Sequence, residues 1–240
     1  MPPKAEGRWS IVDSSRVREG SVAEWSIATA QQLLTRHGVV TRETAGAEGI
    51  PGGFSAVYQA LKVMEDTGRV RRGYFVAGLG AAQFAVPAAV DLLRSMRDAP
   101  ETPESVVLAA ADPANPYGAV IKWPPAPASA PARLVGARVI LVDGGLAGYL
   151  RRGENALLLF TPEAEPRRSQ VTREVARMLL RLAASHEEGQ RGMLLAEING
   201  EPATAHATSR LFIEEGFTPT AMGLQARPDR LVNRLQPDLT

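Results

Sequence analysis

Arg69, Arg71 and Arg72 place three guanidinium groups within four residues. A guanidinium is a planar fork of donors that matches two phosphate oxygens, and it does not lose its charge at physiological pH. Just upstream, Ser55, Gln59 and Lys62 recur at the four- and three-residue steps that set side chains on one face of a helix. Together these six residues point to contact with a polyanion. The arginines would neutralise phosphates without reading sequence, and the helix face would add hydrogen bonds. The alternative for the arginine run is a solvated hairpin edge, guarded by charge against pairing with another strand. Ser55, Gln59 and Lys62 on the neighbouring face favour nucleic acid.

Other chemistry finds little support. The sequence has no G-x-x-x-x-G-K-[ST] motif and no Gly-Lys pair, so it lacks the phosphate cradle of a P-loop motor. Gly78-Leu-Gly80 lacks the third glycine of a dinucleotide site, and no H-E-x-x-H or G-x-S-x-G occurs. His37 and His186 fall near the C-termini of predicted helices, where an imidazolium suits the dipole; neither they nor His206 read as metal ligands. Cysteine is absent, which excludes disulfides and thiolate zinc sites and fits a reducing compartment. Glu187-Glu188 and Glu214-Glu215 read as solvated surface pairs, because acid–base work needs a pocket that splits their pKa values. Asp112 reads as an Asx-turn residue rather than a catalytic acid. Of the three tryptophans, Trp25 reads as core, whereas Trp9 and Trp123, the latter beside Pro124 and Pro125, are candidate stacking platforms. No catalytic residue, metal or cofactor is assigned.

The elements that must position the basic residues are legible. Ser21 and Glu24 form a capping box for a helix over 22–37, with Val22, Trp25, Leu33 and Leu34 as its stripe and Gly38 as its stop. Thr41 caps a short helix over 42–48, and Gly49-Ile-Pro-Gly-Gly53 turns the chain. Phe54, Val57, Tyr58, Leu61 and Met64 then mark the buried face of a third helix that ends at Gly68. Residues 69–76 are β-like, with Val70, Tyr74 and Val76 available for packing. Three helices followed by a basic β segment is the order of a winged helix-turn-helix.

A fourth helix is expected over 87–97, then a linker at 98–103 and a short buried strand at 106–110. A turn cluster at 112–118 and a Pro/Ala loop at 123–131 lead to a strand from 137 that ends in a tight Asp143-Gly144-Gly145 turn, and to strands at 148–151 and 155–160. An amphipathic helix over 169–187, a strand at 193–198, an Asn199-Gly200 turn, a helix over 204–215 and a strand at 217–225 complete the pattern. The fold class is therefore α+β: a winged helix-turn-helix domain (1–99), then a small β-barrel or curled sheet with packed helices (100–227), then a tail (228–240). Hydrophobic residues make up 45% and charged residues 22% of the 240, ordinary for a globular chain. The net charge of +1 confines nucleic-acid contact to a local patch. No leader-like apolar stretch follows the start and no run of about 18 apolar residues occurs, so a cytoplasmic protein that does not enter a membrane is expected.

Several blocks resemble one family in order: Gly7-Arg-Trp-Ser10, Gly52-Gly-Phe-Ser-Ala-Val-Tyr58, the run from Glu65 to Phe84, and Ala111-Asp-Pro-Ala-Asn-Pro-Tyr-Gly118. They resemble the large helicase-related (Lhr) proteins, bacterial ATP-dependent DNA helicases of DNA repair. Those carry two RecA-like motor domains, then winged-helix domains, then a β-barrel. The likeness is to the last winged helix and barrel, a region that itself resembles AlkZ-type DNA glycosylases. The resemblance implies single-stranded or forked DNA as partner, motor domains in cis or trans, and self-association. It allows base excision, though no glycosylase residue can be matched; Asp229 and Asp238 stay unassigned. With the motor missing, unwinding and ATP hydrolysis do not carry over, and a piece separated from its motor is expected. Three roles compete: a DNA-gripping module, a base-excising enzyme, and an assembly module using the helix at 169–187 or the last helix.

Overall fold

A computed structural model describes residues 20–80, 82–97, 100, 102–127, 129–151, 153, 155–185 and 192–226. Trp9, the 7–10 block, His186, the Glu187-Glu188 pair and the tail with Asp229 and Asp238 lie outside the described residues. Contacts divide the chain into two units, one up to Leu93 and one from Arg94. That boundary falls inside the fourth helix, ahead of the 98–103 linker read from sequence.

In the first unit, capping chemistry sets the helices. Ser21 Oγ accepts the Glu24 amide at 3.2 Å while the Glu24 carboxylate accepts the Ser21 amide at 2.8 Å, starting α1 (Val22–His37). Gly38 stops it, and β1 (Val39–Val40) follows. Thr41 caps α2 (Arg42–Ala47) with its hydroxyl on the Glu43 and Thr44 amides. Gly52 and Gly53 both have positive φ, 75° and 59°, so the turn into α3 (Gly53–Asp66) uses backbone that side-chain-bearing residues avoid. The wing strands β2 (Arg71–Gly73) and β3 (Gln83–Ala85) and helix α4 (Pro87–Ser95) complete the unit. The three short strands form an antiparallel sheet in the order β1-β3-β2. Helix, strand, helix, helix, strand, strand is a winged helix.

The second unit is built on a six-stranded sheet. Its strands are β4 (Ser105–Ala109), β5 (Arg138–Val142), β6 (Gly145–Leu150), β7 (Ala156–Leu159), β9 (Glu197–Ile198) and β10 (Glu201–Pro202), ordered β10-β9-β7-β6-β5-β4. Successive residues of β5 enter opposite cores: Ile140 and Val142 on one side, Val139 and Leu141 on the other. A sheet buried on both faces explains why these strands read as unbroken apolar runs. One face is covered by α5 (Arg167–Ala184), α6 (Ser209–Glu215) and a second sheet ordered β11-β12-β8, from β8 (Met193–Leu195), β11 (Thr218–Thr220) and β12 (Gly223–Ala226). The other face is covered by the 110–126 loops, where Trp123 stacks on Tyr117 at 6.1 Å and meets Tyr149 edge-on at 5.7 Å. Gly118 permits this, since a Cβ there would lie 2.2 Å from the Trp123 indole nitrogen.

Several expectations need correction. Among the described residues no barrel closes, and the curled-sheet form of the prediction is the one observed. Trp25 is 40% exposed, because α1 instead turns Ser26, Thr29 and Ala30 toward α3. Those small residues allow a close crossing, in which Ser26 Oγ donates to the Ala56 carbonyl at 2.6 Å. The strand at 106–110 is a half-exposed edge strand rather than a buried one. The strand expected over 193–198 divides between two sheets as β8 and β9. The strand over 217–225 folds into a hairpin, in which Thr220 Oγ1 donates to the Gly223 carbonyl at 2.9 Å. The last helix starts late because His206 and Thr208 bond each other at 2.8 Å, holding the preceding segment in turns.

Phe84 is fully buried in β3 and touches the rings of Phe54 and Tyr58. Phe84→Ala is expected to destabilise the first unit by about 3–5 kcal/mol, read as a lowered urea midpoint.

Candidate nucleic-acid interface

The α3 stripe decides where the polar residues go. Phe54, Val57, Ala60, Leu61 and Met64 are buried, which leaves Ser55, Gln59 and Lys62 exposed along the opposite face. After α3, Val70 is buried while Arg69, Arg71 and Arg72 are exposed. All six predicted residues therefore reach solvent. Arg72 is shared with Glu65 of α3, its Nε 3.3 Å from a carboxylate oxygen. Arg69, Arg71 and Lys62 make no ion pair among the described residues. A half-exposed pair such as Arg72–Glu65 is weak and screened by salt.

Residues that sequence reasoning missed hold the wing in shape. Gln83, fully buried, accepts the Phe75 and Val76 amides at 2.8 Å each and donates to the Val76 and Gly80 carbonyls at 2.9 and 3.1 Å. One side chain thus satisfies the hairpin loop that follows β2. Its signal was a lone amide inside the apolar run 82–86. Burial pushes the Glu43 carboxyl up, but hydrogen bonds from its own amide, Thr41 and Gly80, with the Arg42 charge, outweigh that and hold it below the usual range. Glu48, at the C-cap of α2, pairs with Arg36 and bonds His37 Nε2 at 2.9 Å, tying α2 to the end of α1. The Arg36 hydrogen bond foremost, then His37, holds the Glu48 carboxyl below its ordinary value against the effect of burial. Tyr74, expected to pack, is 80% exposed.

The remaining candidates have structural partners. Asp112 Oδ1 accepts the Ala114 amide at 2.8 Å, an Asx turn, and Arg133 donates to the carbonyls of Ala111, Asp112, Asn115 and Tyr117 around it. Trp123 is half-buried, stacked on Tyr117 and in edge contact with Tyr149, so it packs against the second unit's core. Glu214 and Glu215 are not simply solvated: they bond Arg173, Arg177 and Arg210. Those hydrogen bonds, from Arg173 first, hold the Glu214 carboxyl low. In the second unit a cavity of about 900 Å³ is lined by residues including Tyr117, Asp143, Glu163 and Arg167. Both oxygens of its Asp143 are engaged, by Arg167 and by the Glu104 amide. Among the described residues no group of three His, Cys, Asp or Glu could hold a metal, and no helix is long and apolar enough to cross a membrane.

Residues 19–105 match the winged-helix domain of the large helicase-related protein. The chain is also 49% identical over 172 residues, 70% of its length, to a Mycolicibacterium smegmatis protein named Lhr helicase/probable uracil glycosylase. It is 34% identical over 226 residues, 92% of its length, to an Escherichia coli protein named Lhr helicase/uracil glycosylase. The chain belongs to the large helicase-related family. It spans only 11% and 14% of those two relatives.

Two outcomes follow for the Lhr wing and its supports. Gln83→Leu leaves the Phe75 and Val76 amides unpaired, and at about 1–3 kcal/mol for an unsatisfied buried group their hydrogen exchange should quicken well before global unfolding. A carboxyl held low contributes stability above its ordinary pKa and loses it as pH falls through the lowered value. The first unit should therefore weaken on acidification below the usual carboxylate range. Glu48→Gln should make that loss shallower, as read from urea midpoints across an acid pH series.

Proposed function

We propose that this chain is the DNA-binding accessory module of an Lhr-type helicase acting in DNA repair in the cytoplasm. It grips single-stranded or forked DNA while a motor supplied in cis or in trans does the unwinding. One observation carries the reading: Arg69 and Arg71 stand exposed and make no ion pair among the described residues, next in sequence to a helix whose exposed face carries Ser55, Gln59 and Lys62. The bound polyanion would take the place of condensed counterions, so affinity should fall steeply with salt. Assembly through α5 is less favoured, since Val171, Val175, Met178 and Leu179 are buried within the chain's own second unit. Self-association by another surface stays compatible with DNA binding.

Anisotropy titration of a labelled 3′-tailed duplex tests the grip. Arg69→Ala/Arg71→Ala should weaken binding and reduce the salt slope by about one per lost phosphate contact. Arg72→Ala should do less, because Glu65 already competes for that guanidinium. Unchanged affinity and slope in the double variant would discard the surface.

The shared words "uracil glycosylase" in the names of both relatives favour a second reading, base excision by the whole parent protein. Incubating the 240-residue chain with uracil-containing single strands separates the two. Binding without an abasic product keeps this segment a grip; an abasic product makes it an enzyme.

A further inference from the structure

Phosphate contact leaves one wing side chain idle. Tyr74 follows β2 and is 80% exposed, the most exposed aromatic among the described residues. Its phenol makes no hydrogen bond among them. An aromatic ring left in water forgoes the burial that such a large surface normally gains.

The backbone that carries it is held on both sides. Before Tyr74, Gly73 pairs with Gln83 across the hairpin. After it, the Phe75 and Val76 amides both donate to the Gln83 side chain at 2.8 Å. Phe75 turns back over the chain, its ring 3.1 Å from where a Gly73 Cβ would stand. The next aromatic thus folds inward while Tyr74 remains outside. A ring on a fixed backbone has only its two side-chain torsions to lose on binding.

The neighbourhood selects the ligand. Arg71 and Arg72 of β2 lie just before Tyr74, and the loop after it carries half-buried Phe75, Val76 and Leu79 with small Ala77, Gly78 and Gly80. Tyr74 is thus the one large apolar side chain of residues 74–80 left mostly in water, and cations stand close to it in the chain. A flat ring next to guanidinium groups matches a polymer of flat rings joined by anions. We propose that Tyr74 stacks on an unpaired nucleobase of a DNA strand whose phosphates are held by the wing arginines. This rests on the DNA-gripping reading and adds a platform that recognises unpaired bases.

Two single strands of equal length and charge test it, one oligothymidylate and one carrying abasic tetrahydrofuran sites throughout. The full chain should bind the base-bearing strand more tightly. Tyr74→Ala should weaken that binding roughly 5- to 150-fold, the range for loss of one base–aromatic stack. It should also abolish the preference over the abasic strand and leave the salt slope unchanged. Tyr74→Phe should keep both affinity and preference, and thermal melts of both variants should match the parent. A Tyr74→Ala chain with undiminished affinity and preference overturns the stacking, even if Arg69→Ala/Arg71→Ala still lowers the salt slope. If the arginine variant also binds both strands as the parent does, the gripping surface falls and the stacking falls with it.

Discussion

The aromatic triangle of Phe54, Tyr58 and Phe84 is the contact on which the first unit turns. Ring centroids lie 5.8, 5.9 and 6.3 Å apart, in the tilted and edge-on range that aromatic pairs prefer. Phe54 and Tyr58 come from α3, and Phe84 comes from the central strand of the wing sheet. One cluster therefore sets the rotation of α3 and the seat of the wing together. Once that stripe faces inward, helical geometry sends Ser55, Gln59 and Lys62 outward. Pairing of β2 with β3 likewise fixes where Arg71 and Arg72 stand. The basic surface follows from packing of an apolar one.

Polar groups finish what the apolar core starts. Gln83 converts a loop that would lack backbone partners into one with defined shape, and a buried amide with all its bonds made has few alternative positions. Glu48 acts on the other side, tying α2 to the end of α1 through Arg36 and His37. In the second unit the corresponding task falls to Arg133, which gathers the carbonyls of the 111–117 loop, and to the arginine–glutamate network joining α5 and α6. Those arginines are engaged by carbonyls or carboxylates, whereas Arg69 and Arg71 of the wing make no ion pair among the described residues.

Much of this was legible from residue types. The Ser21 and Thr41 caps, the α3 stripe and the Asp143-Gly144 turn, with φ of 48° and 75°, are local signals and were readable as such. Failures came where tertiary contact overrode local pattern. Trp25 sits at helical spacing with apolar neighbours, yet the close α1–α3 crossing admits only small residues. Strands β1 and β3 are two and three residues long, too short to carry alternation, and are defined by pairing within the β1-β3-β2 sheet. The exposure of Ser55, Gln59 and Lys62 was accessible to sequence reasoning because it follows from helical period alone, and that of Arg69, Arg71 and Arg72 because guanidinium groups are rarely buried. Gln83 and Tyr74 were not: whether an amide is buried or a ring exposed depends on how a nine-residue loop closes, about which composition is silent.

Under the proposed function, the polar face of α3 and the arginines of β2 meet DNA together. Amide chemical-shift mapping by NMR during titration with a 3′-tailed duplex tests it most directly. The largest shifts should cluster on residues 55–62 and 69–74 and fade as salt is raised. Shifts confined to the second unit, or spread evenly over the chain without dependence on salt, would contradict it.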